Sequence, residues 1–468
     1  MRAAVLVSVG VLTGAAAPDA VAGPHDGLRA ETFMLPLGAP LPSMEQLADP
    51  DVRSHLAQQS HEIAVARTAL ETVGPAAGYG TKAATPAAAP AASAGQLHAT
   101  SVAPAAVSYP DPPHTMSLAE CKTHMAGAAA IYIKSRFAVC TGIQVTTIWK
   151  HAGGPNLGVS SFALYIRGTV KDNDRTIRYD YDATDFTKQN TTATSGLQIK
   201  IEGTIPQTWP SSARATKGGD LPVTRTFDQL QQMPAAHFTH TVRYAPGQGT
   251  GSGAADVVFG VYQPVVTSTL PPGWVGNSPA VGKPAMFAPR WDAAKYLGNP
   301  TGGANPANRG AASFSYMATL VYSTKATAPE RGAAAHIKQA YTTPGATKPP
   351  NANKKIPGQK PDAPLHRLYL DNQRRKDNHA RAVSNCRRYF GPNYTANGTK
   401  DCDEFPFQST YEGVAQAEYD PHAEKNNFSV LPVISRQNQD AGNLLGQFYR
   451  KNRLIDGMDD GFLITITS

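Results

Sequence analysis

Hydrophobic and polar residues alternate in short runs over the middle of the chain, from 121 to about 323. These runs are rich in β-branched and aromatic residues, and turn signals such as Asp172-Asn173-Asp174 separate them. Such composition favours half-buried strands over helices. The pattern therefore predicts an antiparallel, sandwich-like or barrel β-rich domain, with strand candidates at 143–149, 162–170, 176–181, 197–201, 257–266 and 314–322.

Two other stretches lack any pattern that would form a core. Residues 74–114 consist mainly of Ala, Pro, Ser and Thr, and residues 344–364 contain six prolines, several lysines and no apolar run. Composition of this kind is typical of extended spacers. Before the first spacer, apolar residues from 44 to 73 recur at helical spacings, with an interruption at Asp49-Pro50, and they predict a short helical segment.

These stretches divide the chain into predicted domains. The last domain has about 105 residues, near the size at which one hydrophobic core suffices. The predicted divisions are a signal peptide at 1–22, a helical segment and spacer at 23–114, a β-rich domain of unknown role at 115–330, a Pro/Lys-rich linker at 331–363 and a C-terminal domain at 364–468.

The N-terminus has the features of an export signal. Arg2 supplies a positive charge, residues 3–17 are apolar but rich in Gly and Ala, and Ala20-Val21-Ala22 matches a small-x-small cleavage site. The alternative interpretation is an Ala-rich leader without an export role. No other run reaches the ~18 to 20 apolar residues of a membrane span. We therefore expect a secreted protein without a membrane span.

Four cysteines fit the same extracytoplasmic setting. Cys121 and Cys140 lie in the β-rich domain, and Cys386 and Cys402 lie in the C-terminal domain. Pairing within each domain is the preferred one of the three connectivities that four cysteines allow, and the sequence leaves the other two open. The formal net charge of +8 permits a polyanionic partner without requiring one.

The C-terminal domain combines a basic helix with an acidic strand. Arg374, Arg375, Asn378 and Arg381 can share one helical face through spacings of three and four residues. Three carboxylates follow at 401–406. A basic surface beside acidic metal ligands can hold a phosphate backbone. The alternative is that the basic helix is an ordinary solvated helix without a binding role.

The acidic motif at 401–406, DCDEFP, carries the candidate chemistry. Phosphodiester hydrolysis needs a base that activates water and a cation that neutralises developing charge, and Asp403 and Glu404 are the candidates. Because neighbouring side chains of a strand point to opposite faces, Asp401 and Asp403 would share a face. Asn438 follows a short strand, where it is either a ligand of a hard cation or a helix N-cap.

The order of several short motifs resembles the NucA/NucB family of secreted bacterial deoxyribonucleases. The resemblance covers roughly 364–468 and rests on an Asp-x-Asp-Glu-aromatic-Pro motif, an acidic-Gly step and an Asn-x-x-Ala-Gly…Gly segment before a closing strand. The matching residues, in order, are Asp401, Asp403, Glu404, Phe405, Pro406, Glu412, Gly413, Asn438, Ala441, Gly442 and Gly446.

This resemblance implies a small ββα-metal-type nuclease domain. Together with the β-rich sandwich-like domain that the strand pattern predicts, the expected fold class is α+β. The resemblance also implies DNA as the substrate and Mg²⁺ or Mn²⁺ as the cofactor. Asp403 would be the general base, with Glu404 beside it, and Glu412 and Asn438 would lie in or near the metal site. The residues expected to bind the substrate phosphates are Arg436, Arg374 and Arg381.

Two other functions fit the same sequence. The β-rich domain and the spacers would suit a secreted, non-enzymatic binding protein with a degenerate nuclease domain, whose unknown ligand binds the β-rich domain. The long N-terminal region would also suit a polymorphic toxin that delivers the nuclease. Metal-dependent cleavage of DNA would argue against the first function, and the absence of a neighbouring immunity gene would weaken the second.

Overall fold

The part of the chain that the computed structural model describes comprises residues 27–71, 107–126, 130–250, 255–297 and 310–468. Within the first helix, side chains are described only to residue 61. The signal peptide expected at 1–22 and most of the spacer expected at 74–114 lie outside the described residues. Where it is described, the chain is α+β and rich in strands, as expected. No helix in these ranges is both long and apolar enough to span a membrane.

The strands and helices follow one another mostly through short connections. In chain order the strands are β1 (Leu28–Leu35), β2 (Ile131–Ser135), β3 (Ala138–His151), β4 (Asn156–Val170), β5 (Thr176–Asn190), β6 (Gln198–Trp209), β7 (Thr216–Gly219), β8 (Val223–Thr226), β9 (Ala236–Arg243), β10 (Val258–Thr269), β11 (Val275–Gly276), β12 (Ala280–Gly282), β13 (Pro289–Asp292), β14 (Ala311–Phe314), β15 (Ala318–Ser323), β16 (Leu365–His366), β17 (Lys400–Phe405), β18 (Ser429–Ile434) and β19 (Gly461–Thr467). The α-helices are α1 (Pro50–Glu71), α2 (Leu118–Met125), α3 (Phe227–Gln232), α4 (Arg331–Thr342), α5 (Asn372–Phe390), α6 (Gln416–Tyr419) and α7 (Ser435–Lys451), and short 3-10 turns form at Gln46–Ala48 and Pro344–Ala346.

The β-rich region is built from two sheets. The first runs in the order β11-β1-β3-β4-β5-β9-β7, with β2 beside β3, and the second runs in the order β14-β13-β10-β6-β8, with β12 beside β10. Both sheets contribute side chains to one hydrophobic core. Within it the ring of Tyr179 from β5 stacks on Tyr262 from β10, with the ring centroids 3.5 Å apart. Two sheets around a shared core fit the arrangement that the alternating pattern predicts.

The C-terminal region has a second core. Its sheets are the three-stranded β15-β19-β16 and the antiparallel pair β17-β18. The helices α4 and α7 cover them with apolar faces whose residues recur at spacings of three and four, as expected for helices on a core. The buried residues of this core include Leu320, Tyr322, Ala333, Ala334, Ile337, Ala340, Phe405, Leu444, Phe448, Phe462 and Ile464.

Two elements of this core differ from what the sequence pattern predicts. The pattern assigns the run at 314–322 to the β-rich domain, whereas β15 pairs in parallel with β19, with Leu320 opposite Ile464. The pattern also assigns 331–363 to a linker, whereas 331–342 form the helix α4. An Ala-rich helix face gives only a weak hydrophobic signal. A strand pair between distant segments leaves no local trace in the sequence.

The segment before α2 also packs on the C-terminal core. The ring of Tyr109 is buried and lies edge-on to Phe448. Its backbone N–H donates to Gln447 Oε1 at 2.9 Å, and its hydroxyl donates to the Thr319 carbonyl at 3.2 Å. The last residues of the predicted spacer therefore form part of the folded structure.

Both cysteine pairs lie at disulfide-bonding distance in the preferred connectivity. The Cα atoms are 5.9 Å apart for Cys121 and Cys140, and 6.1 Å apart for Cys386 and Cys402. The first bond joins α2 to β3 in the β-rich region. The second joins α5 to β17, so it anchors the strand of the acidic motif.

Candidate active site around Asp403

The acidic motif forms the strand β17, which pairs with β18 so that Asp403 lies opposite Leu431. Its side chains alternate as the strand periodicity predicts. The Asp401 carboxylate accepts a hydrogen bond at 2.9 Å from the hydroxyl of Ser435, the first residue of α7. Cys402 points to the other side and bonds to Cys386 of α5. Asp401 and Asp403 thus share the face that looks toward α4 and α7.

The carboxylate of Asp403 is bound by a histidine from α4. His336 Nδ1 lies 2.6 Å from Asp403 Oδ2, and His336 Nε2 lies 2.6 Å from Ser429 Oγ. The imidazole is 1% exposed. His336 has no place in the predicted site, because it lies 67 residues before Asp403, inside the predicted linker. One signal could have identified it: a histidine within an Ala-rich, otherwise apolar helix face needs a buried polar partner.

Asp403 itself is almost buried but not fully enclosed. The residue is 7% exposed. Its second carboxylate oxygen, Oδ1, makes no hydrogen bond to another described residue. One oxygen is therefore held by the protein, and the other is available to a water molecule or a cation.

Glu404 is partly buried beside Asp403. Its Oε1 accepts a hydrogen bond from the backbone N–H of Gln408 at 3.2 Å. Burial, together with the nearby negative charge of Asp403, raises the pKa of Glu404 to about 8. In the protein without a bound cation, Glu404 therefore holds a proton at neutral pH.

The two predicted metal ligands have different surroundings. Both oxygens of the buried Glu412 are bound by His366, which donates its backbone N–H at 2.9 Å and its Nδ1–H at 2.7 Å. Asn438 is the fourth residue of α7 and is partly buried. Within the described ranges, no three His, Cys, Asp or Glu side chains form a group that could hold a metal ion.

Asn438 is not a helix cap, so that interpretation is wrong. The helix α7 begins at Ser435, directly after β18, and Ile434 occupies the N-cap position. The helix therefore begins four residues earlier than a cap at Asn438 would require. The other interpretation, Asn438 as a ligand of a hard cation, stays a prediction.

The three arginines expected to bind phosphate all have partners inside the protein. Arg374 donates to the Tyr411 carbonyl at 2.6 Å and lies over the rings of Tyr411 and Tyr419. Arg381 pairs with Glu418. The pair of Arg381 and Glu418 lies at the surface, with 48% and 41% of the side chains exposed. The solvated-helix interpretation therefore fits Arg381, whereas Arg374 is partly buried.

Arg436 lies at the start of α7, close in sequence to Asn438. Its Nε donates to Asp440 Oδ2 at 2.9 Å, one helical turn further on, while its side chain stays 50% exposed. The other oxygen, Asp440 Oδ1, is buried without a hydrogen-bond partner among the described residues. Arg436 thus lies half-exposed in the first turn of α7, a helix that packs against β17. Arg381 is similarly exposed on α5, which also packs against β17.

Comparison with known proteins identifies the C-terminal region. Residues 362–464 match the family model described as Deoxyribonuclease NucA/NucB. No curated protein matches the chain, and no solved structure matches it. The matched segment contains α5, β17, β18, α7 and most of β19, but neither β15 nor α4. The C-terminal segment at 362–464 thus matches the NucA/NucB deoxyribonuclease family, as the order of its motifs predicts.

Proposed function

We propose that this protein is a secreted endonuclease that hydrolyses DNA with the help of a divalent cation, and that Asp403 is its general base. The observation that supports this role is the position of Asp403 on β17, inside the family-matched segment. One of its oxygens is bound by His336, and the other has no hydrogen-bond partner in the part of the chain that the structure describes. A base needs a free lone pair at a fixed position, and this arrangement supplies one.

The surrounding elements support the proposal of a ββα-metal-type site. The antiparallel strands β17 and β18 are followed directly by α7, which packs on both strands. The order β-β-α therefore brings the acidic motif and the first turn of α7 into one small structural unit. Asp401 and Ser435 join these two parts by a hydrogen bond.

The side chains in this unit fit a hard cation such as Mg²⁺ or Mn²⁺. Carboxylate and amide oxygens are the donors that such ions prefer, and Mg²⁺ commonly uses only one or two protein carboxylates and keeps several waters. Glu404 and Asn438 are the residues that would hold it, and Asp403 Oδ1 stays available to the attacking water. When bound, the cation would neutralise the negative charge that develops on the scissile phosphate.

Each protein residue then has a defined task. Asp403 Oδ1 accepts a proton from the attacking water as the water oxygen bonds to phosphorus. The bond from phosphorus to one sugar oxygen breaks, and that oxygen leaves and takes a proton from the solvent. Glu404 would bind the cation through a carboxylate oxygen, and it must lose its own proton first. Arg436, which is half-exposed and two residues before Asn438, leaves its contact with Asp440 and binds a phosphate oxygen instead. Arg374 and Arg381 need to leave their protein partners before they can do the same.

A secreted location completes the proposal. Two cysteine pairs at disulfide-bonding distance fit an oxidising compartment. The N-terminal 22 residues have the pattern of an export signal.

The test is a cleavage assay with the full-length protein. Supercoiled plasmid is incubated with Mg²⁺ or Mn²⁺, with and without excess EDTA, and the nicked and linear forms are quantified. We expect nicking with either cation and none with EDTA. Equal nicking in EDTA would exclude the cation from the reaction. No nicking under any condition would favour the non-enzymatic binding protein instead.

A further inference from the structure

We propose that His336 is a positioning residue of the nuclease, and that the functional domain therefore includes α4, upstream of the family-matched segment. This proposal rests on the proposed role of Asp403. It assigns a task to a residue that lies 26 positions before the matched segment at 362–464.

The imidazole of His336 is held on both sides. Its two ring nitrogens each lie 2.6 Å from a polar atom, Asp403 Oδ2 on β17 and Ser429 Oγ on β18. Those two strands are paired, with Phe405 opposite Ser429. The ring therefore contacts both strands of the pair and is held by a side chain from each.

The contacts assign the tautomer of the neutral ring. An ionised carboxylate only accepts hydrogen bonds, so the proton of the neutral imidazole lies on Nδ1 and points to Asp403. The Ser429 hydroxyl then donates to Nε2. Every polar atom of the buried ring is satisfied in this arrangement, as buried polar groups require.

The histidine gives Asp403 the fixed orientation that a base needs. The hydrogen bond between His336 Nδ1 and Asp403 Oδ2 fixes the rotation of the carboxylate. Oδ1 is then the oxygen that has no hydrogen-bond partner among the described residues. Without the histidine, a carboxylate that is 7% exposed would be free to rotate.

The helix that carries His336 is fixed by the core. Ala333, Ala334, Ile337 and Ala340 of α4 are buried together with residues of β15, β19 and α7. The parallel pair β15-β19 joins the segment before α4 to the last strand of the chain. The position of the imidazole is thus set by α4 and β15, which lie outside the matched segment, through their packing on α7 and β19.

The test compares two amide substitutions of His336 in the full-length protein. His336→Asn keeps an N–H donor near the Nδ1 position and loses the contact with Ser429. His336→Gln keeps a donor near the Nε2 position and loses the contact with Asp403. We measure kcat and KM for cleavage of a labelled duplex, and thermal unfolding of each variant.

We expect His336→Gln to lose about 10- to 100-fold in kcat with little change in KM, as is typical for partners that orient reactive groups. His336→Asn should keep kcat within a few fold of the unchanged protein. Equal loss of kcat in both variants, or a loss that follows only the fraction of folded protein, would overturn the positioning role.

A second measurement does not depend on activity. Imidazole ¹⁵N shifts of the full-length protein should show His336 protonated at Nδ1 only, and Asp403→Asn should change the Nδ1 shift. If these shifts appear as expected while the unchanged protein cleaves no DNA, the proposed function fails and the contact stands. If His336 is protonated at Nε2 only, the proposed positioning role fails, whether or not DNA is cleaved.

Discussion

Arg136 and Asp460 form a buried ion pair between the β-rich region and the C-terminal domain. Arg136 Nη2 lies 2.7 Å from Asp460 Oδ1, and the two residues are 324 positions apart in the sequence. Asp460 also pairs with Arg290 and accepts the backbone N–H of Ile455. Burial opposes the charge of Asp460, but the two guanidinium groups outweigh it and lower the pKa of this carboxyl. Separating the two regions would therefore leave buried charges without their counter-charges, which costs free energy of folding.

The first prediction concerns this junction. Asp460→Asn leaves two buried guanidinium groups without their counter-charge, and loss of one partner of a buried pair typically costs about 3–5 kcal/mol. We expect the free energy of unfolding to fall by about that amount, with tryptophan fluorescence and circular dichroism changing together in urea. The matched control is Asp185→Asn, which removes an exposed pair with Lys122 and should cost about 1 kcal/mol or less. Equal effects of the two substitutions would contradict the proposed junction.

The second prediction concerns Glu404 and pH. Because its pKa in the folded protein is about 8 and its ordinary value is 4.5, the folded state keeps a proton that the unfolded state releases between these values. The stability of the protein in EDTA should therefore fall as pH rises from 4.5 to 8, by at most about 1.4 kcal/mol per pH unit from this group. Glu404→Gln should remove this slope.

Urea midpoints at pH 5, 7 and 9 check the effect of Glu404. The variant should be more stable than the unchanged protein at pH 9 and nearly equal to it at pH 5. Glu424→Gln, at an exposed position in the same domain, serves as the control and should not alter the slope. An unchanged slope in Glu404→Gln would show that Glu404 titrates in its ordinary range.

The third prediction concerns the bond between Cys386 and Cys402. It closes a loop with a sequence separation of 16, and a loop of that size stabilises by roughly 3 kcal/mol in the chain-entropy model. Replacing both cysteines by Ala should lower the unfolding temperature. Cleavage at low temperature should persist, because the β17-β18 pairing and His336 still hold Asp403. Loss of cleavage by a variant that is fully folded would show that the bond itself shapes the site.

The fourth prediction concerns the limits of the nuclease. A fragment of residues 364–468 lacks β15 and α4, and with them the partners of β19 and α7 in the C-terminal core. We expect it to show no cooperative unfolding transition and poorly dispersed amide signals. The full-length protein provides the comparison. A fragment with dispersed signals and a sharp transition would show that the core does not need the upstream elements.

Local patterns account for what the sequence predicts correctly. The alternation at 143–149 and 162–170 lies in β3 and β4, and the apolar spacing of Leu444, Leu445 and Phe448 lies on the buried face of α7. The motif at 401–406 forms a strand, as its alternation requires. Each of these features depends on residues that are close together in the chain.

Contacts between distant segments account for the rest. His336 reaches Asp403 only because β15 and α4 join the C-terminal core, and no local pattern reveals that pairing. The partners of Arg374 and Arg381 are Tyr411, in the loop after β17, and Glu418, in α6. A helical projection of α5 does not show them. Prolines at 344–364 suggest a linker, although Lys348 hydrogen-bonds through its carbonyl to the backbone of β18.

The central claim is that Asp403 acts as the base in DNA hydrolysis. The cleavage rate of a variant with a single substitution at this residue tests it most directly. Asp403→Asn keeps the size of the side chain and removes its basicity, and Asp459→Asn makes the same change at an exposed position of the same domain. Both are measured in the full-length protein with Mg²⁺ and labelled duplex in excess. We expect cleavage by Asp403→Asn to fall at least about 100-fold, the lower end of a general base's contribution, with Asp459→Asn unchanged. Cleavage by folded Asp403→Asn at the unaltered rate would contradict the claim.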